Sequence, residues 1–527
     1  MNADLTCLSK DSSISKQDVV DLAIKYQEEN HYLKERIRLL QNELFGRKSE
    51  KSDPVLDRQL PIFEDVTDPV VEPSATQADT VTIAAHSRKK RGRKPLPDHL
   101  PRIQIVHDID EEDKVCACGQ RLSRIGEDTC EKLDYVPAKV RVALHIRPKY
   151  ACKACEGVED DGPTVKIAPA PSALIPKSMA TGTLLAYIAV SKFADGLPLY
   201  RLSKKFGRID VDLSRATMAN WMIKAAQRLT PMLALLESEI RGGPLINIDE
   251  SPLQVLKEPG RKNTTKSYMW VFCGGVPEKP TVLYRYQPTR SGAPALNFLD
   301  DYKGYIQSDD FGGYDYLGKK AGIVHLGCMA HARRKFHDVV KVRKKQRGKR
   351  AKTKGFAEQA IGYIKQLYRI EKQIRKEELS SEQIHQLRQE QSKPVLEQFK
   401  KWLDATQPLT PPKGLLGTAI GYALKNWSKL TVYVDDALLK PDNNRAENAL
   451  RPFVVGRKAW LFAGSPAGAH ASATFFSLIE TAKANGLEPY TYLRYLFDRM
   501  PHARDEKDFR GLLPQYVDKD AVSSLQS

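Results

Sequence analysis

Three carboxylates stand where a divalent cation could be held. Glu447 lies in Pro441-Asp442-Asn443-Asn444-Arg445-Ala446-Glu447-Asn448-Ala449-Leu450-Arg451, a short stretch rich in Asn and Arg. Asp442 or Asn443 can cap a helix starting there. Pro452 is expected to end that helix early, because the residue before a proline avoids the α region. Asp249 follows Pro-Leu-Ile-Asn-Ile and Asp309 follows Tyr-Ile-Gln-Ser, two strand-like runs. Any one of these acids alone reads as an ordinary surface carboxylate. Two strand carboxylates and one helix carboxylate, all oxygen donors, suit Mg²⁺ or Mn²⁺. Such ions serve in-line displacement at phosphorus, where they stabilise both the attacking and the leaving oxygen. Without metal, three like charges side by side are unfavourable, so a ligand is the natural reason to gather them.

A second set of donors is sulfur. Cys116-Ala117-Cys118-Gly119 and Cys152-Lys153-Ala154-Cys155 are two close pairs that can close a tetrahedral Zn²⁺ site. The first pair has one intervening residue instead of two, and buried free cysteines are the alternative. Cys130 reads as a bystander. Cys328 and His331 are also spaced like metal ligands, and a structural or orienting role is expected of them.

The chain around these residues has 527 positions, 41% hydrophobic, with a net charge of +18. This length implies several domains, and the basic balance favours a nucleic-acid partner over a membrane. No apolar run approaches a membrane span. The start, Met-Asn-Ala-Asp-Leu-Thr-Cys, has no signal-peptide pattern. A cytoplasmic protein is expected, with its paired cysteines on metal rather than in disulfides.

Residues 15–46 read as a helix with a heptad pattern. Val19, Tyr26, Leu33 and Leu40 take d positions, and Ala23, Asn30, Ile37 and Leu44 take a positions. An Asn at an a position fixes register and favours a dimer, so a homodimeric coiled coil, or a higher oligomer, is expected. An amphipathic helix packed on its own domain is the alternative. Residues 47–100 read as a flexible linker that turns basic at Arg88-Lys89-Lys90-Arg91-Gly92-Arg93-Lys94. Arg91, Arg93 and Lys94 can enter a narrow A·T-rich minor groove; a solvated charge run is the plainer reading. Residues 101–160 form a small zinc-binding domain in which metal supplies folding energy. Residues 170–240 are helical, with helices expected over Thr183–Phe193, Leu199–Phe206 and from Leu213. The last two make either a helix-turn-helix, with Arg215 and Asn220 reaching DNA, or a plain hairpin with Trp221 in the core.

Residues 241–485 alternate strands and helices. Strands are expected at Leu245–Asp249, Tyr268–Cys273, Thr281–Tyr286, Tyr305–Asp309 and Ile323–Leu326, with a short helix at Ala295–Asp300. That order is the order of a ribonuclease H-like sheet. A helical insertion at about 331–430 opens with the basic stretch His331-Ala332-Arg333-Arg334-Lys335-Phe336. Beyond Glu447, Arg451, Arg457 and Lys458 are positioned in sequence to hold phosphates, as are Asn443 and Asn444. Residues 486–527 read as a C-terminal helical tail. The fold class is multidomain α/β.

The chain resembles bacterial transposases of the insertion sequence 66 family almost end to end. The marks are Leu44-Phe45-Gly46-Arg47-Lys48-Ser49-Glu50, Arg91–Pro97, the cysteine region with Leu133-Asp134-Tyr135-Val136-Pro137, and Leu197-Pro198-Leu199-Tyr200-Arg201. Further marks are Asp249-Glu250-Ser251-Pro252, Cys328–Phe336, Asp442–Arg451 and Gly456-Arg457-Lys458. The resemblance implies a DDE-type transposase with a ribonuclease H-like catalytic domain, acting on insertion-element ends and target DNA. Small accessory proteins often accompany the family. Its acidic triad falls on Asp249, Asp309 and Glu447. Asp310 stands where the family pattern usually has Gly, and the choice of Asp309 rests on the spacing to Gly313-Tyr314. The rival functions are a DNA-binding regulator that does not cut, and a nuclease of the same fold that does not transfer strands.

Overall fold

A computed structural model describes residues 16–45, 140–151, 165–291, 297–309, 311–314, 317, 320–344 and 355–526. Two compact units are present: Met1–Val66 with Pro171–Ser527, and Thr67–Ala170. The four paired cysteines, Arg91, Arg93, Lys94 and Asp310 lie outside the described residues. In the smaller unit, β1 (Lys149–Ala151) pairs antiparallel with β2 (Val165–Ile167).

The larger unit begins with α1 (Lys16–Phe45), as its heptads predict. Four helices precede the sheet: α2 (Gly182–Phe193), α3 (Leu199–Gly207), α4 (Arg215–Arg228) and α5 (Thr230–Gly242). Thr181 caps α2 by accepting from the Leu184 N–H, and Ser214 caps α4 by accepting from the Thr217 N–H. Each side-chain oxygen satisfies an N–H that has no partner inside its own helix. Helix α4 buries Met218, Trp221, Met222 and Ala225 and leaves Arg215 and Asn220 exposed.

The sheet is built from β3 (Leu245–Val255), β4 (Lys266–Gly274), β5 (Thr281–Gln287), β6 (Gly304–Gln307) and β7 (Ile323–Leu326). Its strand order is β5-β4-β3-β6-β7. The β3–β4 and β4–β5 pairs are antiparallel; β3–β6 and β6–β7 are parallel. The expected strands are thus present, with β3 running six residues past Asp249. The next described residues after Ser291 form a single 3₁₀ turn, Asn297–Leu299, inside the helix expected at Ala295–Asp300. Gly304 opens β6 at φ +145°, a conformation that L side chains rarely adopt.

A helical insertion follows β7, as the sequence predicts. It comprises α6 (Met329–Lys344), α7 (Phe356–Glu377), α8 (Ser381–Leu387), a π-helical turn (Arg388–Ser392), α9 (Lys393–Thr406), α10 (Leu415–Lys425) and α11 (Trp427–Thr431). It has its own apolar core around Phe336, Leu367, Phe399 and Ile420. The chain then returns to the sheet through α12 (Asn444–Trp460).

Helix α12 corrects one expectation. Pro452 lies inside it rather than ending it. An interior proline costs about 3 kcal/mol through its missing N–H and ring clash. Ala446, Leu450, Phe453 and Gly456 are buried on both sides of Pro452. Burying a side chain such as Leu or Phe contributes about 1.5–3 kcal/mol, enough for the packing to carry the helix through.

After α12, β8 (Phe462–Ala463) adds to β3, and α13 (Pro466–Ala484) covers the sheet. Ser477 and Thr481, one helical turn apart on α13, accept from the N–H groups of Tyr284 and Val282 on the edge strand β5. Thr481 also donates to the Val282 carbonyl. The helix thereby satisfies backbone groups that an open sheet edge would expose. Helices α14 (Pro489–Arg499), α15 (Glu506–Gly511) and α16 (Lys519–Ser523) close the chain.

Candidate active site

Asp249 and Asp309 leave neighbouring parallel strands at one level. The register pairs Asn247 with Gln307, and each aspartate follows two residues later. Side chains alternate with period 2 along a strand, so Asp249 sits on the same face as Asn247. Asp309 lies just beyond the end of β6, where its carboxylate accepts from the Phe311 N–H at 3.1 Å. Glu447 is in the first turn of α12, which packs across β3 and β4. The two aspartates are half-buried, whereas Glu447 is 3% exposed.

The three carboxylates lie close enough to act on one another's charge. Burial pushes the Asp249 carboxyl well above its usual value. The charges of Glu250, Glu447 and Asp309 push it the same way, and only the Glu250 N–H, donating at 2.8 Å, opposes. Burial likewise raises Glu447; Arg334 and Arg451 pull it down while Asp442 and Asp309 push it up. Glu447 Oε1 is buried with no hydrogen-bond partner among the described residues.

Beneath the carboxylates lies a layer of amides. Asn247, Gln307 and Asn443 are each at most 3% exposed. Asn247 Nδ2 donates to Gln307 Oε1 at 2.9 Å and to Asn443 Oδ1 at 3.1 Å. Asn443 Nδ2 donates to the Ile248 carbonyl, and Gln307 Nε2 to those of Gly327 and Lys440. Two of these amides stand two residues before an aspartate, and the third stands four before Glu447. The layer therefore ties together the three backbone segments that carry the acids. Sequence reading offered Asn443 to a phosphate; its amide is instead spent inside the protein. Asp442 accepts from the Asn444 N–H at 3.1 Å, so of the two cap candidates it is the one whose side chain is used.

Two neighbours, Glu250 and Arg290, went unassigned in the sequence, and His331 and Arg334 join them at the site. Glu250 is a fourth carboxylate at the site. Burial raises its pKa, as does the charge of Asp309; Tyr314 and Arg290, both bonded to it, oppose. The Arg290 guanidinium lies 3.7 Å from the Phe311 ring centroid. The sequence signal for Glu250 was its place beside Asp249 in Asp249-Glu250-Ser251-Pro252. His331 places Nδ1 3.7 Å from Glu447 Oε1, and Arg334 Nη2 lies 3.8 Å from Glu447 Oε2. Burial, with Arg334 and Lys335 nearby, pushes His331 down to about 3, so its ring is neutral at physiological pH.

Of the basic residues singled out, Arg334 and Arg451 thus act on Glu447. Arg457 is half-buried and donates to Ser251 Oγ at 3.0 Å. Arg333 is half-buried, and Arg215 and Lys458 are exposed.

The class of the protein follows from comparison with known families. Residues 177–471, which contain the sheet, the insertion and all three carboxylates, match a transposase. The matching family is described as "Transposase IS66 family", and the chain belongs to it. Residues 113–156 match "zinc-finger binding domain of transposase IS66", and residues 477–515 match "IS66 C-terminal element". Residues 32–105 match "Transposase C of IS166 homeodomain". Two relatives from Sinorhizobium fredii (strain NBRC 101917 / NGR234) carry the names uncharacterized protein y4jD and uncharacterized protein y4qI. The first is 35% identical over 82% of this chain and 86% of its own length; the second is 32% identical over 92% and 89%. Among the described residues, no helix is long and apolar enough to cross a membrane.

Proposed function

We propose that this transposase binds insertion-element ends, cuts them and transfers the freed strands to target DNA. Asp249, Asp309 and Glu447 are the proposed catalytic acids, on a sheet whose order supports a ribonuclease H-like domain. The single observation that carries the reading is the gathering of these three carboxylates from two parallel strands and one helix. Their donor set fits hard divalent cations: all are carboxylates, the charge of Asp309 raises the pKa of both Asp249 and Glu447, and one buried oxygen of Glu447 lacks a partner among the described residues. Mg²⁺ or Mn²⁺ held there would activate the attacking oxygen and stabilise the leaving one.

The chain's own residues orient the reaction. The amide layer fixes the acids, and Arg334 and Arg451 oppose the upward shift that burial imposes on Glu447. In the first step a water oxygen bonds to phosphorus and the 3′ oxygen leaves as a hydroxyl. In the second, that hydroxyl attacks a target phosphorus and displaces the target's own 3′ oxygen. Exposed Arg215 and Lys458, half-buried Arg333 and Arg457, and the basic segment with Arg91, Arg93 and Lys94 are proposed to hold DNA. Cys116, Cys118, Cys152 and Cys155 are proposed to hold a structural Zn²⁺, and α1 to pair two copies.

Asp249→Asn, Asp309→Asn and Glu447→Gln test the reading. Each keeps side-chain volume and removes a negative ligand. Losing several kcal/mol of metal-assisted stabilisation is worth roughly 10³-fold or more in rate. Cleavage and strand transfer should fall below detection while binding to element ends survives, and Asp310→Asn should retain activity. Strand transfer at the parent rate by all three acid variants would rule out this triad, and a parent that binds element ends without cutting them would leave the DNA-binding regulator as the better reading.

A further inference from the structure

We propose that Cys328, His331 and Glu447 form a site for a thiophilic divalent cation of the zinc class, sharing Glu447 with the carboxylate cluster. Cys328 immediately precedes α6, His331 is in the first turn of α6, and Glu447 is in the first turn of α12. The two helix starts are tied together. The Met329 N–H donates to the Pro441 carbonyl at 2.8 Å, and the Asn443 N–H donates to Cys328 Sγ at 3.3 Å. One donor atom from each of the three side chains lies within 4.8 Å of the others.

Two further observations point to a ligand. His331 Nδ1 and Glu447 Oε1 are 3.7 Å apart, too far for a hydrogen bond. Both atoms are buried, and neither has a hydrogen-bond partner among the described residues. Buried polar atoms are ordinarily satisfied, and one cation between these two would satisfy both. Their separation is close to the roughly 3.3–3.6 Å between ligand atoms of a tetrahedral zinc site. Arg334 approaches the other oxygen, Oε2, at 3.8 Å and leaves Oε1 to the ion.

Donor chemistry selects the metal. Sulfur, imidazole nitrogen and one carboxylate suit zinc and cobalt, whereas magnesium wants oxygen throughout. Three protein ligands leave a fourth position for water or a phosphate oxygen. The site as such does not depend on the catalytic reading of Glu447. Its consequence does: an ion held here engages the carboxylate that the hard cations need, so zinc should inhibit magnesium-supported cleavage.

The test uses the full chain, loaded with zinc and freed of loose metal, beside Cys328→Ser and His331→Gln. Cobalt(II) is added in a parallel series, and the Cys328→Ser spectrum is subtracted from the parent's to remove the contribution of the paired cysteines. The parent should retain about one more zinc per chain than either variant, as expected for loss of one ligand from a three-residue site. The difference spectrum should show a thiolate-to-cobalt charge-transfer band. Equal zinc contents and a flat difference spectrum would overturn the proposal. If Cys328→Ser does not fold by circular dichroism, His331→Gln decides by its zinc content alone. A Cys328-dependent cobalt band in a parent that never cuts DNA would support this site and overturn the proposed function. Cutting without the band would do the reverse.

Discussion

Asp249 illustrates how a buried acid reports on its own ligand. Its pKa is raised by burial and then by three neighbouring carboxylates, and Glu250 and Glu447 are raised as well. These groups bind protons more readily in the folded chain than in the unfolded one. Their contribution to stability is therefore full below the ordinary carboxylate pKa and is lost as pH rises through the raised folded values. Metal-free protein should melt at lower temperature as pH climbs from about 4 toward neutrality, and Mg²⁺ should reverse the drop. Asp249→Asn should abolish the Mg²⁺ effect and raise the metal-free melting temperature at neutral pH; each 1 kcal/mol is about 2–4 °C in a large domain. Scanning calorimetry across pH checks both, and a melting temperature that rises with pH without metal would contradict them. The amide layer makes a second claim. Gln307→Leu removes the donor to the Gly327 and Lys440 carbonyls and takes one of its two acceptors from the Asn247 amide. At about 1–3 kcal/mol for each unsatisfied buried group, a loss of roughly 2–5 kcal/mol is expected. Cleavage should fall with it although all three acids remain. Denaturant titration and a cleavage assay decide, and parent-like values in both would remove the layer's positioning role.

At the scale of elements, Arg388 ties the insertion to the segment that leads to Glu447. Arg388, 2% exposed in the π-helical turn, donates to both Glu371 carboxylate oxygens at 2.8 Å. It also donates to the carbonyls of Tyr433, Asp436 and Leu439, just before the stretch that leads into α12. Breaking a buried pair on one side leaves an uncompensated charge, at about 3–5 kcal/mol. Arg388→Met should lose that much and should also slow cleavage, since the lost carbonyl contacts lie on the approach to Glu447. Adding Glu371→Met should restore part of the stability, because no charge is then left unpaired. A double-mutant cycle measures this; a double variant less stable than Arg388→Met would refute it.

For the whole molecule, the open question is what covers α1. One face of that helix packs on α6 and α10: Leu39 is buried, and Glu35 accepts from the Leu415 N–H at 3.1 Å. The heptad seam is left out, with Leu33 44%, Ile37 52% and Leu40 43% exposed. The packed face matches the alternative of an amphipathic helix lying on its own domain, and the exposed a/d face is the one suited to a second copy. Replacing Leu33 and Leu40 with Glu in the full chain should convert a dimer to a monomer in light scattering with little change in melting temperature. A monomeric parent would exclude the seam as a dimer interface.

Local pattern determined much of this. Alternating and continuous apolar runs located every strand of the main sheet from β3 to β7, because strand burial has a short period that a few residues reveal. The insertion and the start of the helix that carries Glu447 were legible for similar reasons, and motif spacing was enough to indicate the family. Tertiary structure decided what depends on partners distant in sequence. Pro452 reads as a stop, yet burial against the sheet carries the helix through it. Asn443 looks free for phosphate until Asn247 and the Ile248 carbonyl, nearly two hundred positions away, take its amide. Cys328 and His331 form only a weak local pair, and Glu447 completes it from a helix more than a hundred residues later. Propensity and periodicity are summed over neighbours in the chain, whereas a shared carboxylate, a saturated amide or an orphaned nitrogen exists only once the chain has closed on itself.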